Sequence, residues 1–120
     1  MKKYALILLC LVAALALFAC SKASLNMDSN TVSPGATVQV KWTAPGSYAD
    51  NAWIGIIPSG IDHGSEAVND QHDITYQYLS GKTSGTFTFT APKKKGSYDF
   101  RMHDTDSNGS EVASITFTVQ

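Results

Sequence analysis

The amino-acid sequence predicts an all-β protein, a single antiparallel sandwich of about seven strands that follows an N-terminal apolar segment. Three observations lead there. Apolar residues alternate with polar ones at period two in seven separate stretches. Turn signals rich in Gly, Pro, Ser and Asn separate the stretches. No window beyond the N-terminal segment sustains an apolar stripe at helical spacing. Seven strands in about 100 residues suit two sheets packed face to face, each strand alternating inward and outward.

In chain order, the strands are expected around Leu25 and Met27; Val38, Val40 and Trp42; Ile54 and Ile56; Ile74, Tyr76 and Tyr78; Phe87 and Phe89; Tyr98, Phe100 and Met102; and Ile115, Phe117 and Val119. Ser33-Pro34-Gly35, Ala44-Pro45-Gly46-Ser47, Pro58-Ser59-Gly60, Ser80-Gly81-Lys82, the Ala91-Pro92 to Gly96 stretch and Asp106-Ser107-Asn108-Gly109 supply the turns. Threonines at 86, 88, 90, 116 and 118 suit a pleated solvent face. The third strand, from Ala52 to Pro58, is almost continuously apolar and is expected at the centre of a sheet. The stretch from Ile61 to Asp73 reads as one long polar connection.

The N-terminus has a different logic. Met1-Lys2-Lys3 precede an unbroken apolar block from Tyr4 to Ala19, which is shorter than the ~20 residues a spanning helix needs. A charged start and a short apolar block make a secretory signal. Cys20 follows Ala19 directly, with Leu17 three positions before it, and Leu17-Phe18-Ala19-Cys20 resembles the lipobox of bacterial lipoproteins. The resemblance implies cleavage between Ala19 and Cys20, a diacylglyceryl thioether on Cys20, and acylation of the new amino terminus, with palmitate a typical chain. Two or more buried chains hold stably on a membrane where one binds marginally. Residues 1–19 are then signal, 20–23 a short lipidated tether, and 24–120 the domain. Ser21 stands where an Asp would resemble inner-membrane retention, which makes the outer membrane of the cell envelope the expected location.

Composition narrows the function. Lys2 and Lys3 leave with the signal, so nine basic residues become seven against ten acidic, a net charge of −3. That argues against a nucleic-acid partner, which would need a basic face. Cys10 also leaves and Cys20 is committed to lipid, so the domain folds without a disulfide.

Lys94-Lys95-Gly96-Ser97-Tyr98-Asp99-Phe100 resembles the D-x-(A/G)-x-Y-x-C signature of immunoglobulin-like domains, with Lys94 in place of Asp and Phe100 in place of Cys. The resemblance implies a tyrosine corner at Tyr98. It also implies that Val40 or Val38 meets Phe100 where a disulfide would stand, with Trp53 packed against that pair. Trp42-Thr43-Ala44-Pro45-Gly46, Trp53-Ile54-Gly55-Ile56, Tyr76-Gln77-Tyr78 and Gly96-Ser97-Tyr98-Asp99-Phe100-Arg101 also look like the sandwich domains of plant purple acid phosphatases and SKICH domains. Such domains mostly bind partners or brace a neighbour, which implies a role without catalysis.

Several residue groups present chemistry. Asp104, Asp106, Asn108 and Glu111 supply alternate oxygens around a glycine turn, the beginning of a calcium loop. The twelfth position falls on Ile115, however, and a hairpin turn is the first expectation, with no cofactor. His63, His72 and His103 each adjoin an acid, Asp62, Asp73 and Asp104, as a metal or acid-base set would, but without fixed ligand spacing. His103 is out of phase with Phe100 and Met102 and is expected to point to solvent or an outer sheet face, a surface position being the first expectation. No nucleophile elbow stands out, so an enzyme is not expected, and a small hydrolase is the weakest alternative. Lys93-Lys94-Lys95 would suit an anionic surface or glycan, and Tyr48, Trp53, Tyr76 and Tyr78 include candidates for sugar stacking. The expectation is a membrane-held binding or assembly module that engages an envelope protein or glycan. Its contact surface is expected among Tyr48, the Asp62, His63, His72 and Asp73 connection, and the three lysines. A metal-dependent or carbohydrate-binding domain is the alternative.

Overall fold

A computed structural model describes residues 22–120, so the Leu17–Cys20 motif, the signal and the acylation site lie outside the described residues. The strands are β1 Ser24–Asn26, β2 Thr31–Val32, β3 Thr37–Thr43, β4 Trp53–Pro58, β5 Thr75–Tyr78, β6 Ser84–Thr90, β7 Gly96–His103 and β8 Glu111–Val119, with one helix, α1 Glu66–His72. All seven expected strands form. The eighth, β2, is two residues long and pairs parallel with the end of β8, too short to show an alternation.

One sheet has the order β1-β3-β6 and the other β2-β8-β7-β4-β5. Val38, Val40, Trp42 and Phe89 from the first face Ile54, Ile56, Phe100, Met102 and Phe117 from the second. Phe100 is the hinge of this packing, 5.0 Å from the Phe117 ring and 5.2 Å from Phe89. Val40 and Phe100, both fully buried in this cluster, supply apolar packing in place of a covalent bridge. The hydroxyl of Tyr98 donates to the Lys94 carbonyl at 2.7 Å, which forms the corner.

Trp53 departs from its expected position. It is buried, yet it is absent from the cluster between the sheets. The pleat is the reason: Ile54 and Ile56 point inward, so Trp53, Gly55 and Ile57 must point to the opposite face. Trp42, in phase with Val38 and Val40, is the tryptophan between the sheets, with its ring 5.1 Å from Phe87. Gly85 leaves room for it, since a Cβ there would sit 3.1 Å from the indole.

Trp53 is buried because the connection after β4 folds back over the outer face of the five-stranded sheet as a third layer. α1 forms within it. The Ser65 side chain caps α1 by accepting from Val68 N at 3.3 Å, and Glu66 sits in the first turn with His72 in the last. Glu66 N donates to the Gly109 carbonyl and Glu111 N to the Gly64 carbonyl, which joins this layer to the β7–β8 loop.

Candidate functional site

On β7, Asp99, Arg101 and His103 alternate with Tyr98, Phe100 and Met102 and face the covering layer, all three essentially inaccessible. Arg101 is the centre. Its Nε and Nη2 donate to Asp99 Oδ2 at 3.0 and 2.8 Å, Nη1 donates to Asn69 Oδ1 at 2.8 Å, and Nη2 donates to the Ile61 carbonyl at 2.8 Å. Asn69, on α1, then donates to His103 Nε2 and Glu111 Oε1, each at 2.8 Å. His63 Nδ1 pairs with Glu111 Oε2 at 2.6 Å, and His63 Nε2 lies 3.2 Å from Arg101 Nη2. Arg101 therefore fastens the covering layer to the sheet, and almost every polar atom it reaches has a protein partner.

The electrostatics follow. Burial pushes His103 down to about 4, which keeps the imidazole neutral near pH 7. Burial alone would raise Asp99, but hydrogen bonds from Ser59, Thr116 and Arg101 outweigh it and hold the carboxyl below its ordinary value. Glu111 is likewise lowered, because hydrogen bonds from His63, Asn69 and Gly64 outweigh desolvation. Glu66 is raised by burial, even though Trp53 Nε1 donates to its Oε2 at 3.2 Å.

Two of the three histidines thus join one network, His63 through Glu111 and His103 through Asn69, which itself bonds Glu111, but the Arg101 guanidinium lies in the same network and a metal ion would be repelled there. His103 is on the outer sheet face as its phase required, yet it is covered and not at the surface. His72 is exposed at the end of α1. The Ser59 hydroxyl donates to Asp99 Oδ1 at 2.7 Å, and His63 Nε2 lies 3.5 Å from Asp99 Oδ2. Serine and histidine both turn to the carboxylate, so no imidazole is placed to accept the serine proton.

The four expected calcium ligands do not converge. Asp104 Oδ1 accepts from Ser110 N, Glu111 turns into the Arg101 network, Asp106 Oδ2 accepts from Tyr78 at 2.8 Å, and Asn108 N donates to Glu66 Oε1. A different trio does meet: carboxylate oxygens of Glu66, Asp70 and Asp106 lie within 4.8 Å of one another. Among the described residues no Lys, Arg or His lies within 4.0 Å of these three or of Asp73. Burial and the charge of Asp70 raise Asp73.

Beside that acidic group, edge strand β5 exposes its apolar side chains. Tyr76 and Tyr78 are 48 and 41% exposed, Ile74 just before the strand is 50% exposed, and Val68 on α1 is 36% exposed. Trp53 meets Tyr76 edge-on at 6.2 Å, and Tyr76 meets Tyr78 at 5.2 Å with their planes 70° apart. Tyr48 is half-buried against the core. Asp62 is exposed and contributes its carbonyl to Arg101 at 3.2 Å. Lys93, Lys94 and Lys95 are exposed at the far end of the sandwich, where they line a groove of about 520 Å³ with Pro58, Ile74, Pro92 and Tyr98.

Sequence reasoning missed Glu66, Asn69, Asp70 and Arg101. The signals were present: Ser65-Glu66 is a helix start, and Asp99, Arg101 and His103 share one strand face. No family model matches the chain, and none of the curated proteins shows significant similarity to it. Fold and site together define a small all-β sandwich with a buried polar layer on one face and an aromatic, acidic edge beside it.

Proposed function

We propose that this protein is a lipid-anchored binding module of a bacterial cell envelope, held through Cys20, and that it engages an envelope protein or glycan through the exposed face of β5. The observation that carries the binding surface is the exposure of Tyr76 and Tyr78 on one edge strand together with Ile74 just before it, beside a helix that exposes Val68. Contiguous exposed apolar side chains rimmed by polar ones favour a partner. The polar groups behind that face are engaged with one another, which supports a role without catalysis.

The anchor also sets an orientation. Thr43 Oγ1 donates to the Lys22 carbonyl and Ser24 pairs with Thr43, so the chain enters at the end that carries the 44–52, 79–83 and 104–110 loops. With a short tether, that end faces the membrane. The lysine groove stands at the opposite end, one strand length or about 26 Å away, which disfavours Lys93, Lys94 and Lys95 as contacts to the same membrane.

Two measurements test the reading. Labelled palmitate should enter the wild-type chain and be absent from Cys20→Ser, which should leave the membrane fraction; equal labelling of both would overturn the anchor. A photo-reactive residue at position 76 should give a discrete adduct in cells, and one at exposed Lys41 on the other sheet should give none. Indistinguishable adducts would remove β5 from the account.

A further inference from the structure

The β5 face is electrically bipolar. At its Tyr78 end stand Glu66, Asp70 and Asp106, with Asp106 bonded to the Tyr78 hydroxyl and no basic side chain within 4.0 Å of any of the three among the described residues. At its other end, Ile74 opens onto the groove lined by Lys93, Lys94 and Lys95, which likewise form no ion pair among the described residues. Opposite uncompensated charges therefore sit at the two ends of a strand only four residues long.

That strand is also open along its length. β5 ends the five-stranded sheet and pairs only with β4. Leu79 N donates to the Ala52 carbonyl, so by the alternation of an antiparallel ladder Gln77 and Thr75 turn their backbone groups toward β4. Tyr76 and Tyr78 turn theirs toward the open edge. The neighbouring edge of the other sheet is different, since Gln77 Nε2 donates to the Thr88 carbonyl on β6 at 2.8 Å and occupies that acceptor. The tyrosine rings stand 70° apart, which makes notches between side chains and not the flat platform a sugar ring stacks on.

We infer that β5 accepts an extended segment of another protein as an added antiparallel strand, with Lys or Arg toward the segment's N-terminal end and Asp or Glu roughly four to six residues later. The inference rests on the binding reading of β5 and names its partner. β5 runs from the lysine groove toward the acidic trio, so an antiparallel partner starts at the carboxylates and ends at the lysines. Main-chain bonds to Tyr76 and Tyr78 supply affinity, and the two charged ends set direction.

The test uses the full chain in detergent and fluorescent synthetic peptides with a Val/Thr-rich centre, two lysines near the N-terminus and two glutamates near the C-terminus. A second peptide carries the same residues in reverse charge order. The first should bind saturably and about tenfold more tightly than the second at low salt. The double variant Asp70→Lys, Lys94→Glu, at two exposed positions, should invert that preference. Tyr76→Pro, which removes a donor the native sheet does not use, should abolish binding with the melting transition retained, while Tyr76→Ala should weaken it less. Equal affinity for both charge orders, or no saturable binding at millimolar peptide, would overturn the inference. So would sedimentation showing that β5 is filled by a second copy of the chain, as self-association lost in Tyr76→Pro. If position 76 still crosslinks in cells while peptide order is without effect, the partner class fails and the binding reading stands.

Discussion

The indole of Trp53 lies flat on the imidazole of His103, with ring centroids 3.8 Å apart and planes 24° from parallel, under the layer that folds back over the sheet. The stack joins the first residue of β4 to the last of β7, which are register partners. Trp53 Nε1 also donates to Glu66 and His103 accepts from Asn69, so one aromatic pair carries two attachments to α1.

Gly55 makes room for that stack. A Cβ at this position would sit 2.6 Å from the Trp53 ring and 3.0 Å from the Thr75 carbonyl. Gly55→Ala should displace the indole and cost about 1–3 kcal/mol, the usual range for overpacking. Urea unfolding followed by tryptophan fluorescence measures it. Wild-type stability in Gly55→Ala would show that the ring is free to move.

His103 sets a pH dependence. Its value in the fold is about 4 against an ordinary 6.5, so between those values the unfolded chain binds a proton that the folded chain does not. Stability from this group is intact above pH 6.5 and falls by up to about 3 kcal/mol as pH drops to 4. Glu66 and Asp73, raised by burial, act in the opposite sense. Asp99 and Glu111, both lowered, add further loss only as pH falls through their own depressed values. His103→Gln, neutral throughout, should flatten the slope between pH 6.5 and 4 in thermal melts.

Arg101 is the attachment of greatest consequence. Arg101→Ala strands the buried Asp99 carboxylate and the Asn69 carbonyl oxygen, and should cost about 3–5 kcal/mol. Arg101→Lys should recover little, because an ammonium cannot span Asp99, Asn69 and the Ile61 carbonyl together. Hydrogen exchange should show residues 61–73 losing protection in Arg101→Lys before the sandwich itself opens.

The acidic trio opposes folding. Asp70→Asn relieves repulsion with Glu66, Asp73 and Asp106 and should raise the melting temperature by about 1–3 °C at low salt. In molar salt the gain should vanish, since screening then does the same work. A gain that persists in high salt would place its origin outside charge repulsion.

Much of the sandwich was legible because period-two alternation is local: each of the seven strands announces itself within a few residues, as Val38-Gln39-Val40-Lys41-Trp42 does. The Tyr98 corner was legible for the same reason, its acceptor lying four residues upstream. The candidate site was not. Trp53 and His103 are 50 positions apart, Arg101 and Asn69 32, and Tyr78 and Asp106 28, and nothing in the local pattern states that they meet. Asp104, Asp106, Asn108 and Glu111 looked like one group by spacing, yet β8 begins at Glu111 and turns its side chain away from the loop.

By itself, the sequence determined an all-β sandwich, its turns, the inward set from Val38 to Phe117, and the expectation of a lipid-bearing Cys20, because pleat period and signal chemistry are written in neighbouring residues. Tertiary structure decided which face Trp53 occupies, that Arg101 and His103 are covered, and that opposite charges bracket β5. Those outcomes depend on a connection folding back across a sheet, where burial and charge are set by residues remote in the chain.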